Sequence, residues 1–248
     1  MERQISGTAY FASDFHFGAP DRESSLQREE AVVTWLDRIS ADASHLFLLG
    51  DIFDFWFEYR DVVPKGNFSF LSKLLEISKK GIKIYYFTGN HDMWVGDYFE
   101  KEIGMEIFRT QQIFVINGKR CVVGHGDGLD PKDKGYLLIK KIFAFRPNIV
   151  LYGALPPRWA FAIARKCSHT SRKKTGKAAF HRNDEEVMSD YIRNYLQQDP
   201  NIDYFIYGHR HLPLEIPIGN TVYFNTGDWL THNSYLRASS ESFKLLYN

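Results

Sequence analysis

Five short motifs place Asp, Asn and His side chains directly after apolar segments of this chain. They read S-D-F-H, G-D-I-F-D, G-N-H-D, G-H-G-D and G-H-R-H. Carboxylate, amide and imidazole groups without a thiolate suit manganese, iron and zinc ions, and they do not choose among these metals. The candidate metal ligands are Asp14, His16, Asp51, Asn90, His125, His209 and His211.

The spacing inside the motifs favours convergence on a metal. Alternate residues of an extended chain point to the same side, so the D-x-H pair and the H-x-H pair can each aim both side chains at one ion. A carboxylate such as Asp51 can bridge two ions about 3.5–4 Å apart, which is the separation used for in-line phosphoryl displacement. The motifs therefore predict two-metal hydrolysis at phosphorus.

Each motif also has an ordinary interpretation. A single His after a strand is usually a hydrogen-bonded structural group, and an Asp before a turn is usually a turn former. These explanations would have to hold five separate times, always at the same end of a strand. The combined pattern therefore favours the metal site.

Short apolar segments, most of them rich in β-branched and aromatic residues, predict the strands that position the motifs. They alternate with helical patterns in the first half of the chain, whereas the last fifty residues read mainly as strands and turns. This order predicts an α/β structure of layered sheets with helices outside. The predicted strands are Gly7–Ser13, His45–Gly50, Ile82–Thr88, Ile113–Ile116, Arg120–Gly124, Tyr204–Tyr207 and Thr221–Asn225, and the predicted helices are Leu26–Ile39 and Phe70–Lys80, followed by the capping residue Gly81.

A long insertion at about 135–194 breaks this alternation. Its pattern is mainly helical, with large apolar residues in its first part and many charges in its second. One interpretation is a helical pair that packs on the core and ends in a solvated basic turn, and the pattern alone favours it. The other is a cap over the active site that holds an apolar, anionic substrate.

The overall composition limits the possible classes. The formal net charge of +1 argues against a globally basic nucleic-acid-binding protein. Cys121 and Cys167 form no disulfide framework, and Cys121 reads as a buried strand residue. The N-terminal residues show no signal pattern and no apolar run is long enough to span a bilayer, so we expect a cytoplasmic protein.

The ordered set of five motifs resembles the calcineurin-like metallophosphoesterases across nearly the whole chain. The resemblance implies a four-layer α/β/β/α sandwich, with residues 1–248 as a single domain and the helical insertion as its cap. It implies two divalent ions, with Mn²⁺ expected first and iron or zinc as alternatives. One ion would bind Asp14, His16, Asp51 and His211, and the other Asp51, Asn90, His125 and His209.

The same resemblance assigns catalytic roles to Asn90 and His91. His91 would contact the phosphate or protonate the leaving group, and its alternative role is a hydrogen-bond donor that orients a neighbouring ligand. Asp54 and Asp127 would hold the second ring nitrogens of ligating histidines, or form turns. The remaining histidines match no motif, so structural or solvated positions are expected for His45, His169, His181 and His232.

Within that family, three features resemble the UDP-2,3-diacylglucosamine pyrophosphatases of lipid A biosynthesis. Aromatic residues follow the second motif in G-D-I-F-D-F-W, Asp133 and Tyr136 follow the His125 motif, and the helical insertion comes next. The resemblance implies a lipid-linked nucleotide substrate, transient contact with the cytoplasmic face of the inner membrane, and no nucleic-acid partner. The implied substrate-binding residues are Asn90, His91, Asp133, Tyr136, Ser171, Arg172, Lys177 and His209.

One position departs from those enzymes, which usually carry an Arg that helps bind substrate where this chain has His91. The G-N-H-D form is the commoner one in the wider family. A hydrolase of another phosphodiester or of a nucleotide is therefore the main alternative. A non-catalytic scaffold on this fold, of the kind that the family's retromer subunit resembles, is less expected because every ligand position is filled.

Overall fold

The computed structural model describes residues 2–164 and 182–248, which contain twelve strands and seven helices. The strands are β1 (Arg3–Ile5), β2 (Thr8–Ala12), β3 (Ala43–Leu48), β4 (Lys83–Phe87), β5 (Glu106–Phe108), β6 (Gln112–Ile116), β7 (Lys119–Val123), β8 (Tyr204–Tyr207), β9 (Pro213–Ile218), β10 (Thr221–Thr226), β11 (Ser234–Ala238) and β12 (Phe243–Tyr247). The helices are α1 (Arg22–Ile39), α2 (Phe68–Lys79), α3 (Tyr98–Ile103), α4 (Lys134–Ala144), α5 (Arg146–Gly153), α6 (157–164) and α7 (Arg182–Gln198).

The chain divides into two compact units. The first comprises Met1–Glu58, Val62–Gly126 and Asn201–Asn248, and it contains all twelve strands. The second comprises Tyr59–Asp61 and Asp127–Pro200, and its described elements are the helices α4 to α7. The interpretation of this helical unit as a cap stays a prediction.

Two six-stranded sheets form the first unit. Sheet A has the order β1-β6-β7-β8-β10-β9, and sheet B has the order β12-β11-β2-β3-β4-β5. Strands β2 to β5 are parallel neighbours in sheet B, and β7, β8 and β10 are parallel neighbours in sheet A. Parallel strands end at one edge of their sheet, so the loops that follow β2, β3 and β4 emerge together, as do those after β7 and β8.

Two apolar layers hold the sheets in place. Between the sheets, the Phe47 ring stacks on Phe11 at 4.4 Å and meets Phe114 edge-on at 5.0 Å. On the other face of sheet B, Trp35 and Phe70 bring α1 and α2 onto the same buried cluster. The predicted α/β class with packed sheets is confirmed, and Cys121 is buried in β7 as the sequence indicated.

The predicted helices begin earlier than their apolar patterns. Asp21 caps α1, because its carboxylate accepts a hydrogen bond from the backbone N–H of Ser24 at 2.9 Å. Gly81 follows α2 with φ of 94°, the left-handed conformation that its position after the helix requires.

Among the described residues, no helix combines the length and the apolar composition needed to cross a bilayer.

Candidate metal centre

All seven candidate ligands lie in loops that follow parallel strands of the first unit. Backbone hydrogen bonds join these loops to one another. Asp14 N–H donates to Gly50 O at 3.0 Å, and His16 N–H donates to Asp51 O at 2.9 Å, which ties the loop after β2 to the loop after β3. Gly208 N–H donates to His125 O at 2.9 Å and ties the loops of sheet A in the same way. The side chains therefore start from a fixed backbone frame.

Five of these ligands adopt left-handed backbone conformations, which L-residues with a Cβ atom rarely enter. A non-glycine residue in such a region costs about 1–3 kcal/mol, and it persists only where the surroundings over-determine it. Conformations of this kind cluster at functional sites. The φ angles are 57° for Asp14, 46° for His16, 53° for Asp51, 71° for His209 and 56° for His211.

The first group of ligand atoms comprises Asp14, His16 and His211. One potential ligand atom from each lies within 4.8 Å of the other two. Asp14 Oδ1 is 3.5 Å from His211 Nε2 and 3.7 Å from His16 Nε2. The two imidazole rings stack with their centroids 4.9 Å apart. A cation between these atoms would meet one carboxylate oxygen and two imidazole nitrogens.

The second group comprises Asp51, His125 and His209, again within 4.8 Å of one another. Asp51 Oδ2 is 3.5 Å from His125 Nε2, and the same oxygen is 3.8 Å from His16 Nε2 in the first group. Asn90 joins this side, since its Oδ1 lies 3.4 Å from His125 Nε2. Asp51 therefore reaches both groups, as a bridging carboxylate must.

Buried polar atoms show that a divalent cation fits here. Asp14 Oδ1 and both ring nitrogens of His16 are buried, and none of them has a hydrogen-bond partner. Burial works to raise the pKa of Asp14, but His211 and His16 outweigh it and lower the pKa to about 2. Burial works to lower the pKa of His16, but Asp14 and Asp54 raise it to about 10. The centre therefore attracts positive charge.

Backbone carbonyls orient two of the imidazole rings. His125 Nδ1 lies 2.6 Å from Leu49 O, and His91 Nδ1 lies 2.8 Å from Asp54 O. A carbonyl only accepts hydrogen bonds, so Nδ1 carries the hydrogen in both rings. In His125, Nε2 then faces Asp51 Oδ2 at 3.5 Å. The Asp54 carboxylate lies 3.8 Å from His16 Nδ1 and 3.7 Å from His91 Nδ1, beyond hydrogen-bond length, so its orienting role stays a prediction.

One buried carboxylate in this region, Asp228, belongs to none of the five motifs. Asp228 follows β10, and its Oδ2 lies 3.2 Å from His211 Nδ1. A signal was present, because Thr226-Gly227-Asp228 follows a predicted strand in the same manner as the other motifs. No second candidate ligand lies two residues away from Asp228, so the D-x-H or H-x-H spacing that marked other ligands is absent here.

The predicted contacts in the second unit form a local network. Tyr136 O–H donates to Asp127 Oδ2 at 2.6 Å, and Lys140 Nζ lies 2.6 Å from the same oxygen. Asp133 caps α4, since its Oδ1 accepts from Tyr136 N–H at 2.9 Å. Substrate binding by Asp133 and Tyr136 therefore stays a prediction beside this structural role. The predicted contacts Ser171, Arg172 and Lys177 lie outside the described residues.

The chain is similar in sequence to one protein family and to several named hydrolases. The sequence profile of the calcineurin-like phosphoesterase family matches residues 8–213. A UDP-2,3-diacylglucosamine hydrolase of Porphyromonas gingivalis is 32% identical over 240 residues, 91% of this chain and 92% of the relative. A protein of the same name from Histophilus somni is 29% identical over 245 residues, 96% of this chain and 98% of the relative. A third, from Neisseria gonorrhoeae, is 27% identical over 230 residues, 92% and 91% of the two chains.

Proposed function

This chain belongs to the calcineurin-like phosphoesterase family, a family of hydrolases, and on that premise we propose that it cleaves the pyrophosphate of UDP-2,3-diacylglucosamine. The products would be UMP and 2,3-diacylglucosamine 1-phosphate, an intermediate of lipid A biosynthesis. Similarity to relatives named for this substrate, along nearly their full length, supports the proposal.

The gathering of the six other candidate ligands around Asp51 is the observation that carries the chemistry. We assign two divalent ions to the centre, with Mn²⁺ as the expected metal. One would be held by Asp14, His16, Asp51 and His211, and the other by Asp51, Asn90, His125 and His209. Two such ions lower the pKa of an attacking water and stabilise the charge that develops on the phosphoryl oxygens.

His91 and Asn90 are assigned to the phosphate. The backbone N–H of His91 donates to Asp51 Oδ1 at 2.8 Å, so the loop after β4 is fixed to the shared carboxylate. Since His91 Nδ1 is engaged by the Asp54 carbonyl, Nε2 is the atom that can contact the phosphate or protonate the leaving oxygen. The amide of Asn90 lies beside His125 and would bind the same phosphate.

The second unit supplies apolar surface of the kind that acyl chains require. Helix α4 exposes Leu138 and Ile139 at 60% and 51%, and α5 exposes Val150 and Leu151 at 72% and 71%. Each methylene buried against such surface stabilises binding by about 0.8 kcal/mol. We propose that these side chains receive the acyl chains and make transient contact with the membrane that supplies them.

The test is release of UMP from UDP-2,3-diacylglucosamine by the purified, Mn²⁺-loaded protein. We expect UMP to form in step with 2,3-diacylglucosamine 1-phosphate, and Asp51→Asn to abolish it while preserving the fold. An absence of UMP alongside hydrolysis of an aryl phosphodiester would keep the metal centre and reject this substrate in favour of another phosphodiester or a nucleotide. No hydrolysis of either compound would contradict the proposed activity.

A further inference from the structure

The loop after β10 holds a buried carboxylate beside the candidate metal centre. Asp228 is 4% exposed, and its two oxygens face different partners. Oδ2 lies 3.2 Å from His211 Nδ1. Oδ1 accepts from the backbone N–H groups of Thr231 and His232, both at 3.0 Å, and lies 3.1 Å from His232 Nδ1. The carboxylate therefore joins one candidate ligand to three further donors.

These contacts define the hydrogen positions on both imidazole rings. Oδ1 of Asp228 already accepts from two backbone N–H groups, so the carboxylate acts as the hydrogen-bond acceptor toward both rings. His211 and His232 must then both donate from Nδ1. In His211, this leaves the Nε2 lone pair on the side of Asp14, whose Oδ1 is 3.5 Å away.

The backbone around Asp228 is also tied to the first group of ligands. Trp229 N–H donates to Asp14 O at 3.2 Å, which links the residue after Asp228 to the residue that faces His211. Ser234 N–H donates to Asp228 O at 3.3 Å, and Ser234 Oγ donates to Thr226 O at 2.7 Å across the loop. Asp228 is therefore held at a fixed place relative to Asp14.

We propose that Asp228 is a positioning residue that orients His211 toward the ion shared with Asp14 and His16, and that His232 fixes Asp228 in turn. Histidine ligands commonly donate their second ring nitrogen to a carboxylate, and removing such a partner weakens metal binding by about 10- to 100-fold. The inference rests on the proposed two-metal centre but not on the choice of substrate.

The geometry predicts an effect on one ion and not on the other. His125, in the second group, is oriented by the Leu49 carbonyl at 2.6 Å, which a side-chain substitution at Asp228 leaves in place. His232 is 31% exposed in its side chain, so it can be truncated with little change in the core. Thr231 contributes its backbone N–H to Asp228, and this donor survives truncation of the Thr side chain.

The experiment is equilibrium dialysis of Mn²⁺ against the full-length wild-type protein, Asp228→Ala, His232→Ala and the control Thr231→Ala. In Asp228→Ala we expect one ion to bind about 10- to 100-fold more weakly and the other to keep its affinity within about twofold. His232→Ala should weaken the same ion by a smaller factor, and Thr231→Ala should match wild type. A His209→Ala background, which removes a ligand from the second group, assigns the affected ion to the first.

Each outcome decides the proposal. Wild-type affinity for both ions in Asp228→Ala, or equal loss at both, would overturn it, because a general structural role would not select one ion. If Asp228→Ala does not fold, the selectivity of His232→Ala decides in the same way. Failure of the wild-type protein to bind Mn²⁺ would instead overturn the two-metal centre itself, which separates the two claims.

Discussion

Asp92 joins the loop that carries Asn90 to the loop that carries Asp51, because its Oδ2 accepts a hydrogen bond from Ile52 N–H at 2.8 Å. The same carboxylate accepts from Gly89 N–H at 2.7 Å and from Tyr86 O–H at 2.6 Å. Asp92 is fully buried, so its carboxylate takes the place of water as the acceptor for these three donors.

Asp92→Ala should therefore destabilise the metal-free protein strongly. A buried donor without an acceptor costs about 1–3 kcal/mol, and the substitution leaves three donors in this state. We therefore expect a loss of about 3 kcal/mol or more in the free energy of unfolding. Tyr86→Phe is the matched control: it removes one hydrogen bond and should cost about 1 kcal/mol. Urea unfolding followed by fluorescence measures both, and an Asp92→Ala midpoint equal to that of Tyr86→Phe would count against this role.

Gly208 allows the backbone to approach Asp14 closely. A Cβ atom at this position would lie 2.7 Å from Asp14 Oδ2 and would also collide with Ser13. We expect Gly208→Ala to displace the Asp14 carboxylate, with a loss of about 1–3 kcal/mol from overpacking and loss of metal-dependent hydrolysis.

Gly219 provides a control of similar energetic cost away from the centre. It turns between β9 and β10 with φ of 62° and has open space around its added Cβ, so Gly219→Ala should cost about 1 kcal/mol through the backbone alone. Hydrolysis of an aryl phosphodiester should fall in Gly208→Ala and persist in Gly219→Ala. Equal activity of the two variants would contradict the steric argument.

Two substrates with different leaving groups can distinguish the two possible roles of His91. An Asn side chain at this position places an amide N–H near the position of His91 Nδ1 and can keep the hydrogen bond to the Asp54 carbonyl. It has no proton donor at the position of Nε2. If Nε2 protonates the leaving oxygen, His91→Asn should lower kcat by about 10²–10⁴ for an alkyl leaving group and much less for p-nitrophenolate. Equal losses for the two substrates would instead assign His91 to phosphate contact.

Asp42 should give a pH-dependent contribution to stability far from the metal centre. Burial works to raise its pKa, but Arg237 and Tyr10, whose donors lie at 2.7 Å each, lower it. A lowered folded-state pKa means that stabilisation is present above the unfolded value of about 3.9 and is lost as the pH falls through the folded value.

Asp42→Asn should therefore reduce the free energy of unfolding at pH 7 by about 0.5–1 kcal/mol, a figure discounted for screening because the side chain is 43% exposed. The difference from wild type should shrink as the pH is lowered below about 4. Urea titrations of the two metal-free proteins across this range supply the measurement. A difference that stays constant with pH would contradict the prediction that the charge of the Asp42 carboxylate stabilises the fold.

Much of the centre could be predicted because its ligands follow strands that the sequence marks clearly. The segment before Asp51 is a short apolar run of Leu and Phe, and the Gly before the Asp ends it, so the sequence indicates both the strand and its end. The D-x-H and H-x-H pairs added a second signal, but the expectation that the H-x-H pair faces one ion was wrong. His211 lies with Asp14 and His16, whereas His209 lies in the second group, because the backbone at both histidines is left-handed and not extended. Asp228 offered only the strand and the Gly, so it was missed.

Other features depend on tertiary contacts that no local pattern records. The three-residue strands β1 and β5 are too short for periodicity, and they form because β6 and β4 lie beside them. The left-handed conformations of Asp14, His16 and Asp51 run against local preference and are imposed by the backbone bonds between neighbouring loops. The start of α1 at Arg22 follows from the Asp21 cap, four residues before the apolar pattern begins at Leu26.

The most direct measurement is the number of Mn²⁺ ions bound by the purified chain, by equilibrium dialysis and elemental analysis, in wild type and in Asp51→Asn. The shared position of Asp51 Oδ2, 3.5 Å from His125 Nε2 and 3.8 Å from His16 Nε2, predicts two ions per wild-type chain and weakened binding of both in the variant. One ion per wild-type chain, or loss of a single ion in Asp51→Asn, would contradict a centre built around a bridging carboxylate.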